Sequence, residues 1–343
     1  MASTSALPSA LSFPPATFAK LSPGPFLLAH LKPTSSSTSP TRPSGRAPSE
    51  FRNPTINTGS LTHTNGSAVV RVGDTAVVCG VRAEILKASD IPQPYRSGIG
   101  AVDDSAKEME HLGLLVPNLE LSTGCSPAHL PGNAPSTLAQ SLTQRLLSLL
   151  HTSRIIDGHD LRIQYQMPQT DDDLPDEPPE IVTKAYWTLY IDILFISLDG
   201  NPFDAAWGAI LAALRDTKLP KAWWDADYET VFCSSKASEA KRLNLQGLPI
   251  ASTFAVFSTL NPLRSNAGEA ESWVLADPDG FEEELCEESV TVVVAPKKDG
   301  KGAVLRIEKS GGGFVGREVM RSVVANAEDR WSDWEQVLMQ EKS

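Results

Sequence analysis

Cysteine is scarce and scattered. Four occur, Cys79, Cys125, Cys233 and Cys286, and no two form a Cys-x-x-Cys pair. That spacing argues against a structural zinc site or a disulfide framework and fits a reducing compartment. The six histidines form no His-x-x-x-His pair either. No apolar run reaches the roughly 18 residues that a membrane helix requires. The longest candidate, Ala185 to Leu198, carries Asp192 in its middle and reads as a buried strand. No Gly-Lys-Ser/Thr ending follows a glycine-rich loop, and no Gly-x-Ser-x-Gly elbow is present. Positive charge is in deficit, with 30 Lys and Arg against 42 Asp and Glu, a formal net charge of −12. Uniform acidity would disfavour a strong, independent nucleic-acid binder, because phosphate contacts need Lys and Arg. The acid is clustered, however. Residues 168–180 (PQTDDDLPDEPPE) hold six acids and no base, and without them the balance is −6. A local basic surface therefore stays open.

A hydrophobic fraction of 41% over 343 residues allows a sizeable core and suggests about two domains. Residues 1–17 and 33–44 are rich in Ser, Thr, Pro and Ala and are expected to be disordered. The leader lacks acids before Glu50, as a transit peptide would, but also lacks arginine before Arg42, which counts against one. Between these stretches LSPGPFLLAHLK (21–32) reads as a short docking helix, with Ser22 as cap, Pro23 at the first position and Phe26, Leu27 and Leu31 on its apolar side. GSAVVRVGDTAVVCGVRAEI (66–85) reads as a hairpin turning at Gly73-Asp74, where Gly-X suits a type II′ turn. Residues 89–110 read as a surface loop, 135–156 as a helix capped by Ser136 with Leu138, Leu142, Leu146, Leu149 and Leu150 at helical spacing, and 161–166 as a short strand. A strand over 186–198 leads to a helix over 202–217, then an irregular insertion at 221–244. Strands are expected at 249–258, 272–276, 289–295 and 304–307, a hinge at Gly311-Gly312-Gly313, and a long helix over 314–341. This order points to α+β or α/β, with helices on a sheet face.

The turn SLDGNPFDAAWGAI (197–210) joins a strand to a helix, a place where proteins often hold phosphate. Its furnishing is wrong for that. Asn201 suits the N-cap, Pro202 offers no N–H, and Asp204 falls at N3, where its carboxylate can fold back as in a capping box. A phosphate about 4 Å from that carboxylate would be repelled by roughly 1 to 4 kcal/mol. The turn therefore reads as a well-capped core helix. ADPDGFEEELCEES (276–289) reads as a solvated acidic loop opened by an Asp-Pro-Asp-Gly turn, in preference to a magnesium site.

RPSGRAPSEFR (42–52) and INTGSLTHTNGSAVVRVGDTAVVCGVRAEI (56–85), followed by the Asp199-Gly200 turn, the Ala-rich helix and the late Asp277-Pro278 acidic loop, resemble the RNase PH family in residue type and order. The resemblance covers roughly 42–340. Within the family the chain is similar to the non-catalytic, ribosomal-RNA-processing subunits of the eukaryotic RNA exosome ring. The resemblance implies an α+β RNase PH fold (ribosomal protein S5 domain 2-like), two similar βα halves over 42–220 and 245–343, and a mostly disordered extension over 1–41. Phosphorolytic members carry a Gly-Gly-Thr/Ser-Arg turn that binds inorganic phosphate. Those positions fall here on Asn201, Pro202, Phe203 and Asp204, with the arginine's place taken by Phe203. The family's catalytic aspartate falls on Ser289 by count from Asp277.

The implied protein is a structural subunit without cofactor or metal. It would sit in a six-membered ring with other RNase-PH-like subunits, under S1/KH cap subunits, with RNA passing through the pore, in nucleus, nucleolus and cytoplasm. An active phosphate-dependent 3′-exoribonuclease and an unrelated protein-binding module are the alternatives. Arg71, Arg82, Arg145 and Arg154 read equally as pore-lining or as solvated surface. The acidic loop 168–180 and the tail 1–17 have too little apolar content for core and are expected to be dispensable for assembly.

Overall fold

The computed structural model describes residues 14–32, 39–96, 104–131, 136–168, 179–259, 271–296, 302–312 and 315–340. Two short helices open it, α1 (Pro15–Leu21) and α2 (Pro23–Leu31), each with a proline in its first turn. Residues 15–17 are thus helical, not disordered as expected, because a proline at the first position already holds the helical φ. The rest of the expected disorder, 1–13 and 33–38, lies outside the described residues. Residues 39–44 form an ordered loop in which Arg42 is buried. Leu27 and Leu31 of α2 pack against Phe257 and Leu275, which fixes the helix to the second half of the chain.

The first sheet is built from β1 (Pro54–Thr58), β2 (Gly66–Val72), β3 (Thr75–Lys87), β4 (Leu115–Leu121), β5 (Arg162–Gln166) and β6 (Ile181–Ser197), in the order β1-β2-β3-β6-β4, with β5 on the start of β6. All pairs are antiparallel except β4 with β6. The β2–β3 turn has Val72 facing Thr75. Of its two central residues only Gly73 has a positive φ, as a type II′ turn requires. Helix α3 (Ser105–His111) occupies part of the stretch expected to be loop; Asp104 caps it and Met109 is buried. Helix α4 (Thr137–Ser153) begins at the expected Ser136 cap, and four of its five spaced leucines are buried. Leu138 is the exception and faces outward. Most of the acidic stretch 168–180 lies outside the described residues.

Helix α5 (Pro202–Asp216) is buried all round, with 12 of its 15 residues in the core. A helix without a polar face must be covered on every side, and α5 lies between the two sheets, against β2 and β3 on one side and β11 on the other. After it, β7 (Lys218–Leu219), β8 (Ala222–Asp225), β9 (Thr230–Cys233) and β10 (Lys241–Arg242) replace the expected irregular insertion by two small ribbons, β7 with β10 and β8 with β9. The second sheet has β11 (Ile250–Ser258), β12 (Ser272–Ala276), β13 (Glu288–Pro296) and β14 (Gly302–Ser310) in the order β12-β11-β13-β14, all antiparallel. Helix α6 (Gly280–Leu285) joins β12 to β13, and α7 (Arg317–Gln340) covers β11 and β13 through Val323 and Ala327. The architecture is mixed α+β. Among the described residues no helix is long and apolar enough to cross a membrane.

Candidate functional site

The β6–α5 turn is seated between halves of the chain that are distant in sequence. Thr75 Oγ1 accepts the Asp199 N–H at 2.9 Å and donates to the Gly200 carbonyl at 3.1 Å. Gly200 has φ +69°, and a Cβ there would lie 2.6 Å from the Pro278 carbonyl oxygen. Only glycine fits this crossing of two backbones. Asn201 follows in the left-handed region, at φ 47° and ψ 54°.

That conformation overturns the expected cap. An N-cap side chain reaches its helix from an extended backbone, and Asn201 makes no side-chain cap bond to α5. Its amide Nδ2 instead donates to Asp204 Oδ2 at 2.8 Å and to Asp277 Oδ1 at 2.7 Å. Asp204 does not fold back either. Its carboxylate crosses to the second sheet and accepts the Thr253 N–H and the Thr253 hydroxyl, each at 2.7 Å. The anion at the helix start comes from elsewhere. Glu283 of α6 accepts the Asn201 backbone N–H at 2.8 Å. Burial pushes the Glu283 carboxyl up to about 7, against the Asn201 bond that favours its charged form. Burial likewise raises Asp204, with Asn201 and Thr253 pulling the other way.

The stretch 276–289 is not the solvated loop the sequence suggests. Asp277 and Glu282 are buried, and Asp279 and Glu282 close a capping box on α6. The arginines of segment 42–52 fold onto these acids. Arg52 grips Asp277 through its backbone N–H and Nε at 2.9 Å and its Nη2 at 2.8 Å. Burial alone would raise the Asp277 carboxyl, but this grip and the Asn201 amide outweigh it and hold the group at about 2. Arg42, fully buried, donates to Glu282 Oε2 at 3.1 Å and to the Ala276 carbonyl at 2.8 Å. The carboxylates that remain charged here are thus tied to arginines inside the fold, and those arginines are taken.

Phe203 is 3% exposed and fills the space beside the turn. The Arg145 guanidinium from α4 lies over its ring, 4.1 Å from the centroid. Arg145 also donates to Glu308 Oε2 at 2.8 Å and to Thr291 Oγ1 at 3.3 Å. Thr291 and Thr253 share a 3.0 Å hydroxyl bond. Because Thr253 spends its proton on Asp204, Thr291 is the donor, and the chain of bonds runs from Arg145 through both threonines to Asp204. Ser289 stands on β13 opposite Ala255 and Ser310. Strand alternation puts it on the same face as Thr291, two positions away. The structure therefore gathers Asn201, Pro202, Phe203 and Asp204 at one spot and places Ser289 along the adjoining strand.

Among the four arginines left open by sequence, Arg145 alone meets this turn. Arg71 bonds the Gly73 carbonyl and Asp74, Arg82 pairs with Glu84 beside Tyr190, and Arg154 takes the left-handed position after α4. Sequence reasoning missed Arg42, Arg52, Thr253, Thr291 and Glu283 as parts of the site. For Arg42 and Arg52 a signal existed, since both lie in the RPSGRAPSEFR motif. Glu283 falls in the acidic stretch 276–289 that the sequence also singles out, there read as solvated; for Thr253 and Thr291 there was no signal.

Comparison with known proteins gives a consistent picture. Residues 50–220 match the RNase PH, 3′ exoribonuclease family, domain 1. The chain is 32% identical over 321 residues to the exosome complex component rrp43 of Schizosaccharomyces pombe, covering 94% of this chain and 97% of that protein. It is 26% identical to the exosome complex component Rrp42 of Methanothermobacter thermautotrophicus, over 83% of this chain and 85% of that one. In fold it resembles a chain of the Archaeoglobus fulgidus exosome with RNA bound to the active site, with a TM-score of 0.61 and 21% identity over 91% of this chain and 96% of that chain.

Proposed function

The chain belongs to the RNase PH family, and on that premise we propose that it is a ring subunit of an RNA exosome that carries out no phosphorolysis itself. One observation carries the non-catalytic part. At the turn where the family resemblance implies a phosphate-binding arginine stands Phe203, buried, while Glu283 occupies the backbone donor at the start of α5. A phosphate placed there would meet Glu283 and the Asp204 side of the turn, with Arg52 already committed to Asp277. The nearby Arg145 is held by Glu308 and Thr291 over the Phe203 ring. Ser289, at the position the resemblance gives to the catalytic aspartate, has a hydroxyl that is not basic at neutral pH.

What such a subunit contributes is surface. It would complete a six-membered ring with other RNase-PH-like chains, form part of the pore wall and support S1/KH cap subunits, so that RNA reaches nucleases attached elsewhere. Ribosomal RNA maturation and mRNA turnover are the processes served, in nucleus, nucleolus and cytoplasm. Coexpression with the other RNase-PH-like subunits, followed by native mass spectrometry, tests the ring. A six-membered species containing this chain is expected. Recovery of the chain alone, with the other subunits assembling without it, would overturn the reading.

A further inference from the structure

The β8–β9 ribbon is hydrogen-bonded to neither large sheet, although β8 lies beside β5 and Ala222 and Val231 pack on the main core. Its two faces differ. On the inner one Trp224 faces Val231 in register, both half-buried, with the Lys184 ammonium 5.6 Å from the Trp224 ring centroid. On the outer one Trp223 faces Phe232, their rings stacked at 6.3 Å and 29°, and Tyr228 meets Phe232 edge-on at 5.9 Å and 87°. These three are exposed by 43%, 40% and 74% respectively. They belong to none of the three hydrophobic core clusters. Neighbouring exposed aromatics on one ridge are a feature of interfaces, where Trp, Tyr and Phe are enriched.

The charge around the ridge selects the partner. Its tip carries Asp225, Asp227 and Glu229 and no base; the bases nearest it lie away from the tip, Lys221 and Lys236 flanking its root in sequence, the latter paired with Glu239, and Lys184 against the inner face. Asp225 is occupied in the turn by the N–H groups of Asp227 and Tyr228, which leaves Asp227 and Glu229 pointing to solvent. Single-stranded RNA needs cations along its phosphates and open aromatic faces for its bases. Here the tip is acidic, and the Phe232 ring is already flanked by Trp223 and met by Tyr228. Such a ridge suits a protein groove with an apolar floor and a basic rim.

We propose that the β8–β9 ribbon is a docking knob that inserts Trp223, Tyr228 and Phe232 into an apolar groove, rimmed by Lys or Arg, on a neighbouring RNase-PH-like ring subunit. This rests on the ring reading given above. The test uses the full chain with p-benzoylphenylalanine in place of Tyr228, coexpressed with the other ring subunits. The ring is verified by native mass spectrometry and irradiated in the presence of a poly(A) oligoribonucleotide. The expected product is a crosslink to another ring subunit, within an apolar segment flanked by Lys or Arg. Trp223→Ala with Phe232→Ala should weaken that association by about tenfold or more. Asp227→Lys with Glu229→Lys should weaken it too, with an unchanged circular dichroism spectrum. A ring that forms normally while position 228 crosslinks to RNA, or to no other subunit, would overturn the knob and leave the ring standing. Unaltered association in both double variants would do the same. If the wild-type chain forms no ring at all, the ring reading has failed and the knob falls with it.

Discussion

Glu283 is the residue on which the turn's electrostatics can be read most simply. Its carboxyl, ordinarily near 4.5, is pushed up to about 7 by burial. Below pH 4.5 it is protonated whether the chain is folded or not. Between 4.5 and 7 the folded chain keeps a proton that the unfolded chain has lost, so stability falls as pH rises through that window. Glu283→Gln keeps the oxygen that accepts the Asn201 N–H and removes the titration. The variant should therefore gain about 2–3 kcal/mol relative to wild type between pH 4.5 and 7.5, read from urea midpoints across that range. Parallel profiles for the two proteins would show that Glu283 is not held this way. Asp277 acts in the opposite sense. Held at about 2 against an ordinary 3.8, it supports the fold above pH 3.8, and that support is lost as pH falls towards 2. The identities of the turn residues, and the misfit of Pro202, Phe203 and Asp204 to an anion, were legible in the sequence. The cap was not, because the left-handed backbone of Asn201 removes the geometry on which an N3 capping box depends. Thr253, Asp277 and Glu283 lie 49 to 82 positions away along the chain from the turn residues they bond. No local pattern announces such partners.

At the scale of elements, the sequence marked the hairpin turn, α4 with its Ser136 cap, the span of β6 and the strands of the second sheet closely, although β6 is not buried throughout, since Asp192, Leu194 and Ile196 leave one face exposed. It failed where charge was taken as a sign of solvent. The acids of 276–289 read as a loop because their counterions, Arg42 and Arg52, are more than 200 positions upstream. The small residues of α5 allow close packing, and Gly208 admits a second helix. A Cβ there would lie 2.3 Å from Cη2 of Trp334 in α7, a ring that is itself 2% exposed and cannot swing away. Gly208→Ala gains about 1 kcal/mol in helix propensity, while overpacking costs about 1–3 kcal/mol. A net loss of up to about 2 kcal/mol is expected in denaturant unfolding. Adding Trp334→Phe should recover part of it, since the two changes share one contact. Simple additivity of the two losses would show that the helices do not meet as described.

Over the whole molecule, α5 is the shared core element, and the turn at its start is where both halves of the chain meet. Segment 42–52 closes that junction from outside, through Arg42 on Glu282 and Arg52 on Asp277. The turn is thereby a joint between halves, filled by Phe203 and wired by internal carboxylates, and on the proposed reading it binds no phosphate. Phosphorolysis of a 5′-labelled oligoribonucleotide tests this directly, with the purified chain and with the ring reconstituted around it, in phosphate buffer. No nucleoside diphosphate is expected from the chain alone. The rate of any phosphorolysis by the ring should be the same when Phe203 is replaced by Leu in this chain. Release of nucleoside diphosphates by the isolated chain, dependent on phosphate and altered in Phe203→Leu, would contradict the account.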